Sequence, residues 1–277
     1  MDNQTRSRIA DHFTSAIGRH AVTHSAALVF ASGRSVFMLG SATCVQVGAH
    51  FLLATAGHNF DDLPASLDIR IVPPRRGLEE AIPMVGRNAT SFRGSSARDV
   101  AWLELAPDVA SAHGLTAVPL DRLQPHHGGL EGHLYLVQGL PHALAKDQAL
   151  EQLRKISLTS VSYLTESAPG GSHNRDIDLP LVYDRGVRTG TGTEVSIPPP
   201  NGFSGGGVWA GGTPEGESLW LPDQCSVVGI VRGYLPNAKR LVAVQIQHWL
   251  ELVGTDLPDT TTLIQNHLHR PWVPSVR

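Results

Sequence analysis

From about Ala26 the apolar residues arrive in short bursts, ALVF, SVFML, TCVQV, FLLATA, LDIRIV and VAWLEL, separated by Gly, Pro, Ser and charged residues. Runs this short, bounded by turn formers, are strands rather than core helices, and their close succession predicts an all-β sandwich or barrel. A second series follows the loop Gln124-Pro125-His126-His127-Gly128-Gly129: LYLVQGL, ISLTSVSYL, LPLVY, a burst around Val208, SVVGIV and LVAVQI. The period changes only near the ends. Residues 5–17 space Ile9, Phe13 and Ile17 four apart, which predicts a short amphipathic helix packed on the body. Ile246, Trp249, Leu250 and Val253, at i, i+3, i+4 and i+7, predict a terminal helix. Between strands, AKDQALEQLRK (145–155) has helix-forming composition and suits a helical insertion or a mobile loop. The chain thus divides into a helical lead-in (1–25), a first β unit (26–123), a second β unit with the final helix (124–253) and a tail of no clear period (254–277).

Composition narrows the class without fixing the function. With 277 residues, 41% of them hydrophobic, the chain can bury a sizeable core as one large domain or two small ones. A net charge of −3 from 22 basic and 25 acidic residues, with no long run of either sign, favours neither nucleic acid nor an anionic membrane as partner. Residues 35–60 lack Asp, Glu, Lys and Arg, but glycines, Gln46, His50 and His58 break the stretch into strands and turns rather than a spanning helix. Charges in MDNQTRSRIADHF leave no apolar core for an export signal. Two cysteines, Cys44 and Cys225, far apart and in no CxxC pattern, fit free thiols in a reducing cytoplasm.

Candidate chemistry begins at Asn201-Gly202-Phe203-Ser204-Gly205-Gly206-Gly207-Val208-Trp209, one serine among four glycines after three prolines. Small neighbours let a substrate carbonyl approach the backbone, and a tight Gly-X-Ser-Gly turn can aim the N–H groups of Gly202 and Ser204 at one point, an oxyanion hole. A serine hydroxyl needs a base to become a nucleophile, and the base needs an orienting carboxylate. His58 ends the run FLLATAGH where an apolar strand breaks into polar residues, and Asp99 opens the strand DVAWLEL. A strand end holds an imidazole while leaving it open, and a strand-start carboxylate is partly desolvated while it accepts the imidazole N–H. Taken singly, each residue has a structural explanation: a surface loop, a satisfied histidine, a strand cap.

Together they resemble the trypsin/chymotrypsin-like serine peptidases. The order His58, Asp99, Ser204, with intervals of 41 and 105 residues, is that family's order. GFSGG resembles its nucleophile motif, TAGH its Thr-Ala-Ala-His motif, and RDVAWLEL its Asp-Ile-Ala-Leu-Leu strand. VVGIVRGY (227–234) is similar to its substrate-side strand, and VAVQIQHWLELV to its last strand and helix. The resemblance spans about residues 26–253. It implies two six-stranded antiparallel β-barrels, with His58 and Asp99 on the first, Ser204 on the second and the cleft between them, flanked by a short N-terminal and a C-terminal helix. It further implies an endopeptidase acting on polypeptides through an acyl-enzyme, with Gly202 and Ser204 N–H groups as the oxyanion hole and Arg232, Gly233 and Tyr234 along the substrate. No cofactor or metal is expected.

The departures from the family pattern are informative. Phe203 stands where digestive and clotting members carry the acid that pairs with a freed N-terminus, which points to the bacterial and housekeeping branches. Asn59 follows His58, so the disulfide that often straddles the histidine is missing. Arg232 and Tyr234 replace a serine and a glycine. Tyr234 either narrows the specificity pocket or turns outward; Arg232 crowds Asp99, attracts an acidic substrate side chain or snorkels to solvent. These two replacements leave open a second reading, a binding or scaffold protein of the same fold without turnover. An esterase with the α/β-hydrolase elbow would place its serine before the acid and the histidine, the reverse of this order. A regulatory partner would act through the lead helix, residues 145–155 or the tail. Elsewhere, His126, His127, His133 and His142 lack the Cys or carboxylate of a zinc set. GTGTEV (190–195) is too short for a nucleotide loop, and Asp176 and Asp178 only begin a calcium-loop pattern.

Overall fold

A computed structural model describes residues 11, 14–15, 17–32, 35–61, 63, 68–73, 82–83, 93–95, 98–125, 134–144, 146–150, 153–157, 160–168, 174, 176–183, 186–188, 194–211 and 225–270. The first series of apolar bursts forms β1 (Ser25–Ser32), β2 (Ser35–Val47), β3 (His50–Thr55), β4 (Asp68–Val72), β5 (Ile82–Pro83), β6 (Arg93–Ser95), β7 (Val100–Leu105) and β8 (Val118–Pro119). SVFML and TCVQV are one long strand, β2, which pairs with β1 through a bulge at Leu28/Val29. The sheet order is β5-β4-β1-β2-β3-β7-β6, antiparallel throughout, with β8 joined parallel to β2. It has eight strands rather than the six expected: two of the six bursts merge into β2, and β5, β6 and β8 are pairings of two or three residues too short to leave an apolar burst.

The second series forms β9 (Leu134–Gly139), β10 (Lys146–Leu150), β11 (Leu153–Ser157), β12 (Val161–Glu166), β13 (Asp178–Val182), β14 (Gly186–Arg188), β15 (Glu194–Ser196), β16 (Gly207–Gly211), β17 (Cys225–Leu235) and β18 (Arg240–Gln245). Six of these make the antiparallel sheet β12-β9-β16-β17-β18-β13. Its two edges are tied to each other by a Ser167–Leu181 bridge, an Ala168 N–H to Pro180 carbonyl bond of 2.9 Å and a Thr165 hydroxyl to Val182 carbonyl bond of 2.6 Å. The segment read as a helix or a mobile loop is instead the hairpin β10-β11, in register from Lys146–Ser157 to Leu150–Leu153. Ten cross-strand residues override a helix propensity worth only tenths of a kcal/mol per residue.

Among the described residues the core has three large parts and a small fourth one of Ala27, Val29, Val72 and Leu140. Ala26, Leu28, Cys44, Leu53, Ile71 and Leu103 fill the first sheet with small and aliphatic side chains. The second holds four aromatic side chains, Tyr135, Tyr163, Tyr183 and Phe203, among aliphatic ones such as Val208. The seam between them buries Leu52, Trp102, Leu136, Trp209, Ile230 and Trp249. At roughly 1.5–3 kcal/mol for each large apolar side chain, burial at this seam holds the two sheets together.

Among the described residues four α-helices pack on the core, and the first, third and fourth of them close the seam. Helix α1 is described at residues 11, 14–15 and 17–23, so it overlaps the 5–17 expected and runs past it, the four-residue spacing continuing from Ile17 to buried Ala21; Ile9 and Phe13 lie outside the described residues. A short helix, α2 (Pro107–Ala112), follows β7, and α3 (Ile246–Asp256) buries Ile246, Trp249, Leu250 and Val253 as its period predicts. The expected tail is not one. Pro258 starts α4 (Pro258–Leu268), which buries Thr260 and Ile264 against α3. Its Thr260-Thr261-Thr262 run is a poor helix former, so proline at the first turn and packing, not propensity, make it a helix. Among the described residues no helix is long and apolar enough to cross a membrane.

Candidate active site

Beyond β3 the chain passes Ala56 into a single 3-10 turn, Gly57–Phe60, that carries His58 on its outer side. The His58 Nδ1 lies 2.9 Å from Asp99 Oδ2 and 3.1 Å from Oδ1, and the His58 backbone N–H donates to Asp99 Oδ1 at 2.8 Å. Asp99 sits just before β7 with φ of 52°, a left-handed backbone that aspartate tolerates better than most residues. The bend turns its carboxylate back to the histidine instead of along the strand. A Cβ at Gly57 would stand 3.3 Å from Asp99 Oδ1, so the glycine of TAGH keeps that approach open.

Across the seam, His58 Nε2 is 3.1 Å from Ser204 Oγ. With Nδ1–H donated to the carboxylate, Nε2 is left to accept the serine proton. The hydrogen bond to Asp99 raises the His58 pKa above 6.5, against the pull of partial burial and of the Arg232 charge. The imidazole is 41% exposed and Asp99 23%, so the base is open to a ligand while its partner is largely covered.

The serine loop is pinned peptide by peptide. The carbonyl of Pro200 accepts from Phe203 N–H at 2.9 Å, that of Asn201 from His142 N–H at 2.8 Å, and that of Phe203 from Gly206 N–H at 2.7 Å. Ser41 Oγ donates to Gly202 O at 2.6 Å and accepts Leu140 N–H at 2.9 Å. Ser41 N–H donates to Ser204 O at 2.8 Å, Gly205 N–H to Val231 O at 2.7 Å, and Thr43 Oγ1 to Gly205 O at 3.1 Å. Among the described residues these bonds leave the N–H groups of Gly202 and Ser204 uncommitted, the pair the sequence singles out. Gly202 (φ 96°) and Gly205 (φ 91°) adopt backbones that other residues rarely adopt. A Cβ at Gly205 would lie 1.8 Å from Ser41 O, and one at Gly206 would lie 2.2 Å from Gln138 O. The loop is a cradle in which glycine is a steric requirement.

Phe203 is fully buried against Tyr163 and Tyr183, with ring centroids 5.9 and 6.4 Å away. Tyr183 donates its hydroxyl to Pro198 O, and Tyr234 turns inward onto Tyr183 at 5.3 Å rather than outward. Arg232 neither crowds Asp99 nor reaches solvent freely: its Nη2 lies 2.9 and 3.0 Å from the two oxygens of buried Asp178, the residue considered above for a calcium loop. It occupies a bulge in β17 between Val231 and Gly233, while a Cβ at Gly233 would meet nothing within 4 Å. Exposed His142 lies beside Gly202, and partial burial lowers its pKa. His126, His127 and His133 lie outside the described residues, and among the described residues no group of three or more His, Cys, Asp and Glu converges as a metal site would. Cys44 and Cys225 are buried and form no disulfide with each other.

Two contributors escape the sequence reading, Ser41 and Asn59. The signal was a polar residue inside an apolar strand, Ser41 in LGSATCVQV, and an asparagine buried directly after the histidine.

No family model and no curated protein matches the chain. Among solved structures it is similar to the thermostable serine protease AL20 from an extremophilic microorganism, at 17% identity over 82% of this chain and 93% of that one, with a TM-score of 0.44. It is also similar to the serine endoprotease from Yersinia pestis, at 14% identity over 92% of this chain and 66% of that one, with a TM-score of 0.46.

Proposed function

We propose that the chain is a serine endopeptidase of the trypsin-like double-barrel class, with His58, Asp99 and Ser204 as its triad. The observation that carries this is the continuous line from Asp99 Oδ2 to His58 Nδ1 (2.9 Å) and from His58 Nε2 to Ser204 Oγ (3.1 Å), beside two uncommitted N–H groups. Ser204 Oγ attacks the peptide carbonyl carbon while His58 Nε2 takes the hydroxyl proton. The carbonyl oxygen gains the negative charge and is held by the Gly202 and Ser204 N–H groups. The C–N bond then breaks, with His58 returning the proton to the leaving amine, and a water activated by the same imidazole hydrolyses the acyl-enzyme. Asp99 fixes the imidazole tautomer and stabilises its cation. The tied edges of the second sheet support a closed second barrel, and the separate interior of the first sheet supports a first one.

Among the described residues β17 pairs only with β18 beyond Val231, and its other edge there suits an extended substrate backbone along Arg232, Gly233 and Tyr234. Inward-facing Tyr234 favours a narrowed side-chain site, and it is also the observation that favours the second reading, a binding protein of the same fold. A reducing, cytoplasmic setting is part of the same proposal, and it rests on a sequence with only two cysteines, far apart and in no CxxC pattern. A mixed peptide library separates the readings. Cleavage by the wild type and none by Ser204→Ala supports the peptidase; binding without cleavage by both proteins supports the scaffold.

A further inference from the structure

The Ser204 carbonyl accepts two hydrogen bonds, and the donors come from the first sheet and the turn that follows β3. One is Ser41 N–H at 2.8 Å; the other is the side-chain amide of Asn59, Nδ2, at 3.2 Å. Asn59 adjoins His58 on the same 3-10 turn and is only 5% exposed. Its amide also donates to Thr55 Oγ1 at 2.9 Å, and Thr55 Oγ1 donates to Ser41 O at 2.8 Å. Because the Thr55 proton is used on Ser41, its oxygen acts toward Asn59 as an acceptor. Ser204 O is an acceptor too, so the nitrogen side of the Asn59 amide faces both. The four residues form a closed ring of donors and acceptors spanning the seam.

Gly40 supplies a second line of observation. A Cβ there would stand 2.5 Å from Asn59 Nδ2 and 2.7 Å from Ser204 O, so the backbone of β2 leaves a seat that the asparagine amide occupies. A buried apolar side chain of similar volume would fill that seat but exert no pull on the Ser204 carbonyl.

We propose that Asn59 is a positioning residue: it couples the turn bearing the base to the peptide bearing the nucleophile, and so holds His58 Nε2 and Ser204 Oγ in register across the two sheets. The inference rests on the peptidase reading and deepens it. A shift of a fraction of an ångström in the Ser204 peptide lengthens the His58–Ser204 contact and moves the Ser204 N–H away from the oxyanion. Misplacements of about 1 Å cost on the order of a hundredfold in rate.

The test is the kinetics of fluorophosphonate labelling at Ser204, resolved into the maximal inactivation rate and the probe's half-saturating concentration, for wild type, Asn59→Ala and Asn59→Asp across pH. Asn59→Ala is expected to lower the maximal rate on the order of tenfold to a hundredfold, to leave half-saturation within about twofold, and to keep the midpoint of the pH profile, since Asp99 and His58 are untouched. Asn59→Asp keeps the shape but sets a carboxylate oxygen against the Ser204 carbonyl, and is expected to lose at least as much; it decides the matter if the alanine variant does not fold. Variants that label at the wild-type maximal rate, with only a lower Tm, overturn the positioning role while the peptidase reading stands. A wild type that does not label overturns both.

Discussion

The two halves of the candidate site are held by different physics. The serine loop is fixed by main-chain hydrogen bonds from both sheets and by glycines with no room for a side chain. The His58 turn is a single 3-10 turn whose exposed imidazole is held chiefly by one carboxylate. The nucleophile side stores precision in packing, and the base side stores it in electrostatics. Only the first should collapse under a small steric change. Only the second should respond strongly to pH.

The largest expected effect breaks the packing side. Gly205→Ala forces a Cβ to within 1.8 Å of Ser41 O at a φ of 91°. Strain and overpacking together predict a loss of about 4 kcal/mol or more, seen as a large fall in denaturation midpoint and no labelling. Gly233→Ala, where a Cβ meets nothing within 4 Å, is the control, expected to stay within about 0.5 kcal/mol of wild type.

Next comes the electrostatic side. Asp99→Asn is expected to cut the labelling rate on the order of a thousandfold to ten-thousandfold while the fold survives. The neutral imidazole is the reactive form, so wild-type labelling should rise with pH through a midpoint above 6.5, because the Asp99 hydrogen bond raises the His58 pKa. In Asp99→Asn that midpoint should move down. The same group acts oppositely on stability: a His58 pKa raised in the folded protein contributes below the unfolded-state value and is lost as pH climbs through the folded one.

The smallest effect lies away from the site. His50 bridges Glu104 at 2.6 Å and Asp259 of α4 at 2.8 Å. Burial opposes its charge, but the bonds to Asp259 and Glu104 outweigh it and raise the pKa. His50→Gln should lower Tm slightly at acidic pH, where the bridge is charged, and leave labelling within about twofold of wild type.

The same division explains what was legible beforehand. Strands whose alternate residues enter an interior leave apolar bursts, so β1, β3, β7, β9, β17 and β18 could be read directly. The triad could be read because His58, Asp99 and Ser204 sit in motifs whose neighbours are constrained by backbone geometry: Gly57 by the Asp99 carboxylate, Gly205 by Ser41. Hairpin β10-β11 could not, since its pairing partner rather than its propensity decides its state, and α4 could not, since threonines obscure a helix held by Ile264. Asn59 and Ser41 were hidden for another reason. Their roles depend on a carbonyl 145 residues or more further along the chain, and no local pattern encodes that distance.

The central claim is that Ser204 is a nucleophile activated by His58. It is tested most directly by treating wild type and His58→Ala with a fluorophosphonate and mapping the adduct by mass spectrometry. The account predicts a single adduct on Ser204 in the wild type and its loss in His58→Ala. An unmodified wild type, an adduct elsewhere, or equal labelling of His58→Ala would contradict it.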